Sequence, residues 1–390
     1  MTEPTTRVVV IGGGYAGVMA ANRLTQRDGI DVTLINPRAQ FVERIRLHQL
    51  VAGNDDAVAD YATLLGDEVN LVVDGAARID AAARTIELTS GDTMAYDYLI
   101  YAVGSTGPVP AGVPGAAEFA YPIAELELAQ RLSDRLADVP TSAPMVIVGG
   151  GLTGVEAAAE FSEAGRPVTL VTDVLGPTLG KNGRRSVAKR LARLSVTVVD
   201  GSTVARVSPD RVVLSDGREL PSAVTVWTAG FGVPGLAAAS GLTTDRLGRL
   251  LTDETLTSVD DPRIVGAGDA ASPSGLPLRM SCQAALPLGA QAANTVLARI
   301  AGGTPEGVNQ AMTAQCISLG RRAGTFQINH VDDTPRRLYV GGRAGAVIKE
   351  QICRYTLKWL SGEANKPGSY KWAKGPDRKQ QLTTAPVALR

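Results

Sequence analysis

Two glycine triplets share one spacing: Gly12, Gly14 and Gly17, then Gly149, Gly151 and Gly154, each reading G-x-G-x-x-G. The chemistry that needs this spacing is pyrophosphate binding. The first glycine permits a tight turn, the second lets backbone approach the phosphates, and the third lets a helix pack close to a strand. A helix beginning inside the triplet offers free N–H groups and partial positive charge to the anion. Tyr15 and Ala16 in the first turn, and Leu152 and Thr153 in the second, are placed with the glycines on the bound dinucleotide.

Such a turn works only between strands, and the chain supplies them. Val8–Ile11 is a short β-branched run, Ala16–Leu24 is small and apolar as a sheet-packed helix should be, and Asp31–Ile35 reads as a second strand. Residues 145–172 repeat that order. Two such units predict two dinucleotide sites, one for a resident cofactor and one for an exchangeable one; flavin plus nicotinamide is the usual pairing. The second strands end on Asn36 and Thr172 rather than on an acid, with Asp173 one place later. Asn36 and Asp173 can each hydrogen-bond a ribose hydroxyl. With no acid at the strand end, a 2′-phosphate meets less repulsion. Lys181, Arg184 and Arg185 offer cations to NADPH, or simply line the solvated face of a helix over 184–194 with the stripe Val187, Leu191 and Leu194. The choice between NADH and NADPH stays open.

The rest of the chain falls into turns around these units. Residues 36–50 read as a loop entering a helix and carry Arg38, Arg44, Arg46 and His48. Short strands are expected at 69–73, 77–79, 85–88 and 93–96, then a buried strand at 98–103 that exits through Ala102-Val103-Gly104. That exit permits close cofactor approach or serves as a linker into the proline-rich stretch behind it. Helices are expected at 125–136 and 280–300, the second holding Cys282, Gln283 and Pro287. Between them, Gly230 ends a strand in Thr228-Ala229-Gly230, beside a nicotinamide or at a hinge. Gly268 and Asp269 close Gly266-Ala267-Gly268-Asp269-Ala270, where the acid is a ribityl contact or a plain helix cap. Strands at 316–319, 325–329 and 338–340 precede an amphipathic helix over 346–360, with Ile348, Ile352, Tyr355 and Trp359 on one face. That face suits its own core, a second subunit or a membrane surface. Residues 363–390 are basic and apolar-poor and read as a mobile tail.

Composition narrows the classes. The 390 residues carry 39 basic and 39 acidic side chains and are 44% hydrophobic. Charge balance gives no footprint for nucleic acid. Three distant cysteines provide neither a disulfide framework nor a zinc site, so no metal is expected and a reducing, cytoplasmic setting fits. The N-terminus lacks the apolar core of a secretory signal, and no apolar run is long enough for a membrane span.

Taken in order, the first glycine unit, the Ala102–Gly104 exit, the second glycine unit and Gly266–Ala270 resemble the FAD-dependent pyridine nucleotide oxidoreductases with two dinucleotide-binding domains. Within that superfamily, 36–41, 149–161, 226–230, 265–270 and 319–324 are most similar to type II NADH dehydrogenases and the apoptosis-inducing-factor-like quinone reductases, including ferroptosis suppressor protein. The resemblance implies an α/β chain of two Rossmann-like domains, the second inserted in the first, plus a small C-terminal α+β module. The FAD domain spans 1–110 and 245–310, the NAD(P)H domain 111–244 and the module 311–390. It assigns the first cradle and Asp269 to FAD and the second cradle to NAD(P)H. Glu156, in the GVE motif, is implied on the nicotinamide side, the alternative being a buried, paired helix carboxylate. Gln283 is implied at the acceptor, while Pro287 departs from the family's second glutamine. The cysteine pair of the disulfide reductases is missing from 43–49, so a paired-thiol relay is excluded and electrons pass directly from flavin to an acceptor. Arg44, Arg46 or His48 remains there to stabilise negative charge, or forms an ordinary salt-bridged loop. The expected activity is transfer of two electrons from NAD(P)H to a quinone. Alternatives are a ferredoxin- or rubredoxin-type protein acceptor, a single metabolite, or a nicotinamide-sensing role. A homodimer and peripheral contact with the cytoplasmic face of a membrane are both open.

Overall fold

The computed structural model describes residues 5–376 and 378–384. Two five-stranded sheets carry the glycine turns. The first contains β1 (Thr6–Ile11), β2 (Ile30–Asn36), β3 (Val69–Val73), β4 (Tyr98–Tyr101) and, from much later in the chain, Ile264–Gly266. Their order across the sheet is β3, β2, β1, β4, Ile264–Gly266, all parallel. The chain steps outward from β1 and then crosses to its other side, which opens a crevice at the carboxyl ends of β1 and β4. The second sheet repeats the plan with β5 (Ala120–Pro122), β6 (Met145–Val148), β7 (Val168–Val171), β8 (Thr197–Val199) and β9 (Val224–Trp227). Its order is β8, β7, β6, β9, β5, again parallel. Val8–Ile11 and Met145–Val148 are buried throughout, which is why these strands are unbroken apolar runs rather than alternating ones.

The helices used below are α1 (Tyr15–Leu24), α2 (Leu47–Val51), α3 (Leu126–Ala137), α4 (Leu152–Glu163), α5 (Lys181–Arg193), α6 (Cys282–Ile300), α7 (Gly342–Asn365) and α8 (Arg378–Thr384). α1 and α4 follow the two glycine turns, and α6 lies on α1. A Cβ on Gly289 would stand 2.2 Å from the Ala16 carbonyl oxygen, so only glycine allows that crossing. Downstream, β10 (Ala314–Ser318), β11 (Gly324–Asn329) and β12 (Pro335–Gly341) form an antiparallel sheet. α7 packs on this sheet and on α1.

Three expectations change. The helix expected at 346–360 runs from Gly342 to Asn365, and its buried face is Lys349, Cys353, Thr356 and Leu360. That face is offset from the apolar stripe Ile348, Ile352, Tyr355 and Trp359, because polar side chains with buried partners occupy the inward positions. The stretch 36–50 is more ordered than a loop: it holds a strand at Gln40–Val42, a 3-10 turn at Arg44–Arg46 and then α2. The tail expected to be mobile is anchored through its described residues. Glu363 pairs with Arg23 at 2.7 Å, with both side chains buried. The Arg23 guanidinium also donates to Tyr370 O at 2.7 Å and stacks over Trp372, and Arg378 pairs with Glu254 at 2.8 Å. Residues 385–390 lie outside the described residues.

Candidate active site

The two cradles differ from ordinary turns at each glycine in the same way. Gly12 and Gly149 have φ of +103° and +116°, in the left-handed region. An added Cβ on Gly12 would stand 2.3 Å from Ala102 O, and on Gly149 2.7 Å from Thr228 Oγ1. On Gly17 and Gly154 it would stand 1.7 Å and 1.9 Å from the carbonyl oxygen of the first glycine. On Gly14 and Gly151 it would meet nothing within 4 Å. The middle glycines therefore face open space at the start of a helix, where a pyrophosphate fits.

The residues ending the second strands hold these turns shut. Asn36 Oδ1 accepts from Gly13 N at 3.0 Å and its Nδ2 donates to Arg38 O at 2.8 Å. Thr172 Oγ1 accepts from Gly150 N at 3.0 Å and donates to Val174 O at 3.0 Å. Both side chains are buried. Tyr61, which sequence reasoning passed over, donates to Gly13 O at 2.7 Å. Asp173 is exposed at the lip of the second cradle.

The two glycine-rich exits meet each other. Thr106 and Gly232 exchange backbone hydrogen bonds of 2.8 Å and 3.0 Å, knotting the exit from β4 to the exit from β9. This turns the two cradles toward a common space. Gly104 and Gly230 stand on the two exits with φ of +72° and +87°. In the first exit Ser105 Oγ donates to Asp269 Oδ2 at 2.7 Å and accepts from Arg44 at 2.8 Å. Arg44 also donates to Ala124 O at 2.9 Å and lies 4.0 Å from Asp269. Gly268 has φ +68°, and its Cβ would press on Ala16. The fold thus brings Ala16, Arg44, Ala102, Gly104, Gly268 and Asp269 around the first cradle. Arg38 is committed elsewhere, to a bidentate pair with Glu127 of α3 at 2.6 Å.

Glu156 lies one turn into α4, and its partners come from the C-terminal module. Oε1 meets Lys349 Nζ at 3.1 Å and accepts from Ser318 N at 2.8 Å. Oε2 is 3.9 Å from His48 Nδ1, too long for a hydrogen bond. All three side chains are buried. Burial alone would push the Glu156 carboxyl up; Lys349, His48 and the Ser318 N–H outweigh it and hold it below its ordinary value. Burial would lower the Lys349 ammonium, but Glu156 holds it well above 10.5. His48 is lowered to about 4, chiefly by burial, so its ring is neutral near pH 7. His48 Nε2 and Tyr15 Oη have no hydrogen-bond partner among the described residues. The orphaned His48 Nε2, beside a buried ion pair, fits a polar group delivered by a cofactor or substrate. Lys349 escaped sequence reasoning because it sits inside a helix read for its apolar stripe.

Arg46 does not contribute a free positive charge here. It is surrounded by Glu43 at 3.2 Å, Asp55 at 3.3 Å and Glu350 at 3.1 Å. Gln283 stands at the start of α6 with its amide against Thr313 and Ala314, at 2.9 Å from Ala314 O in the orientation that satisfies both ends. Pro287 is buried inside the same helix. Cys282, Cys316 and Cys353 are all free thiols. Though distant in sequence they lie near enough to raise one another's pKa; burial is the larger cause and pushes Cys282 up to about 12. Lys181 and Arg185 are exposed on α5 and face β12 across a cleft.

Residues 6–315 match the family model described as pyridine nucleotide-disulphide oxidoreductase. An NADH dehydrogenase-like protein of Mycobacterium tuberculosis is 32% identical over 322 residues, covering 75% of this chain and 80% of that one. A type II NADH:quinone oxidoreductase of the same organism is 28% identical over 356 residues, covering 78% and 76%. Among solved structures, the sulfide:quinone oxidoreductase of Aquifex aeolicus superposes with a TM-score of 0.78 at 21% identity, covering 93% of each chain. NDH2 of Plasmodium falciparum in complex with NADH gives 0.76 at 14% identity, covering 94% and 99%.

Proposed function

The chain belongs to the pyridine nucleotide-disulphide oxidoreductase family, as an FAD- and NAD(P)H-dependent oxidoreductase, and on that premise we propose that it passes two electrons from NADH to a quinone. The observation that carries the acceptor is the buried Glu156–Lys349 pair beside the orphaned His48 Nε2. When bound, FAD supplies the chemistry of taking a hydride from nicotinamide and releasing electrons to the acceptor. The chain's residues do the rest. Gly12, Gly14 and Gly17 hold the flavin nucleotide, and Arg44 and Asp269 anchor it through Ser105. Gly149, Gly151 and Gly154 hold NADH, with Asp173 on its ribose. Reducing a quinone to a quinol takes up two electrons and two protons; the hydride from NADH accounts for both electrons and one proton, so one further proton must reach the acceptor. Lys349, kept charged by Glu156, is the N–H donor that stabilises negative charge on the reduced acceptor, and Gln283 orients the acceptor. The three thiols are too protonated to act as nucleophiles near pH 7. Their family's disulfide chemistry therefore gives way to direct transfer.

Steady-state NADH oxidation by the purified holoprotein with menadione and a short-chain ubiquinone tests this. Reduction of neither removes the quinone. A rate that then depends steeply on salt with a ferredoxin-type acceptor would install the protein-acceptor alternative instead.

Among the described residues no helix is long and apolar enough to cross a membrane. The outward side of α7 exposes Val347, Tyr355 and Trp359, at 61%, 42% and 41%, with Lys358 over the Tyr355 ring. That surface supports a peripheral membrane contact. Flotation with phosphatidylglycerol vesicles, lost in Tyr355→Ser/Trp359→Ser, is the expected result. Equal flotation of both forms removes the contact, and sedimentation of the full chain then tests pairing of two copies through the same face.

A further inference from the structure

A trough lined with positive charge runs between α5 and the C-terminal module, separate from either dinucleotide cradle. It has two hollows, of 440 Å³ and 310 Å³. One wall is the α5 row Lys181, Arg185, Lys189 and Arg193, four residues apart and so on one side of the helix. The other wall carries Arg322, Arg336, Arg337 and Arg343. All eight side chains are exposed, and no carboxylate lines either hollow. Only a ninth cation, Arg190, has an ion-pair partner among the described residues, Glu163 at 3.1 Å.

This concentration belongs to a chain whose formal net charge is zero. Like charges one helical turn apart repel, and here a second like-charged wall faces them. Such an arrangement is relieved by an anion that enters between the walls. The row from residue 181 to residue 193 is about 18 Å long, with a cation at every turn. A slender ligand lying between the walls meets cations of both. Arginine makes up six of the eight, and its planar fork pairs two-to-two with phosphate oxygens. We propose that this trough is a binding site for a phosphate-bearing polyanion, of the size and charge of a nucleotide's triphosphate chain. Its bound ligand would bridge α5 of the nicotinamide domain to β12 and α7. The inference is independent of which acceptor the flavin reduces.

The probe is inorganic tripolyphosphate titrated calorimetrically into the full-length holoprotein at fixed ionic strength. Saturable binding is expected, weakened at least about tenfold in Arg336→Glu/Arg337→Glu and likewise in Lys181→Glu/Arg185→Glu. In the first variant the flavin spectrum and NADH oxidation rate should be unchanged, which certifies its fold. Should charge reversal unfold the chain, Arg336→Gln/Arg337→Gln replaces it with the same expected loss of binding. Tripolyphosphate affinity that ignores both pairs of substitutions overturns the site. So does a change in the KM for NADPH in Lys181→Glu/Arg185→Glu with tripolyphosphate affinity unmoved, because the cations then serve the coenzyme. Absence of tripolyphosphate binding alongside capture on phosphatidylglycerol vesicles through Arg336 and Arg337 also overturns it, in favour of a lipid surface.

Discussion

Lys349 and Glu156 sustain each other's charge, so removing either leaves the other buried and unpaired. Lys349→Met should cost about 3–5 kcal/mol of stability, while Lys349→Met/Glu156→Gln should recover much of it, as urea unfolding would measure. Both variants should slow quinone reduction by about 100-fold or more while leaving the KM for NADH near its original value, if the pair stabilises negative charge developing on the acceptor. Equal losses with a proton-independent one-electron acceptor such as ferricyanide would reduce the pair to a structural role. His48 adds a pH signature whose sign follows from its shift. Its folded pKa is lowered from 6.5 to about 4, so the unfolded chain binds more protons in that window. The stability it contributes is complete above pH 6.5 and is lost as pH falls toward 4, a change of about 3 kcal/mol. His48→Gln should flatten the stability profile between those pH values in denaturant titrations. Neither partner was visible in the pattern of residues: Lys349 and Ser318 reach Glu156 only through tertiary packing, 193 and 162 positions away.

At the level of elements, the glycine turns were legible because each glycine answers a steric demand written locally. Gly12 and Gly149 take φ values other residues avoid, and Gly17 and Gly154 touch the preceding turn. Strands 69–73 and 85–88 were equally plain, being β-branched runs bounded by turn residues. The phase of α7 was not legible, since Lys349 and Glu363 break the apolar rule by bringing buried partners from elsewhere. The same long-range pairing hid the clamp at the chain's end. Glu363 accepts from Gly368 N at 2.7 Å and Tyr370 N at 2.6 Å while holding Arg23, so one carboxylate ties α1, α7 and the following segment together. Glu363→Ala should destabilise the protein by about 3–5 kcal/mol. It should also expose the lysines at 371 and 374 to trypsin well before global unfolding, with limited proteolysis and mass mapping as the readout.

Across the whole molecule, the two sheets follow one plan, yet their cradles differ in charge. The first cradle ends on Asn36, buried and uncharged, with its carboxamide spent on Gly13 and Arg38. The second ends on buried Thr172 with the Asp173 carboxylate exposed beside it. A carboxylate there can accept from both ribose hydroxyls of NADH but opposes a 2′-phosphate. Lys181 and Arg185, two of the cations that follow it in the chain, line the trough facing Arg336 and Arg337. NADH should therefore be preferred. At about 4 Å, repulsion between unit charges lies between about 1 and 4 kcal/mol from water to a surface cleft. NADPH should accordingly show a kcat/KM lower by at least roughly fivefold, and Asp173→Ala should erase most of that gap by raising the NADPH value. The KM for NADH should rise modestly in the same variant through loss of the ribose hydrogen bonds. If Asp173→Ala leaves the NADPH-to-NADH ratio unmoved, the carboxylate does not face the ribose, and discrimination must come from the open space beside Gly151.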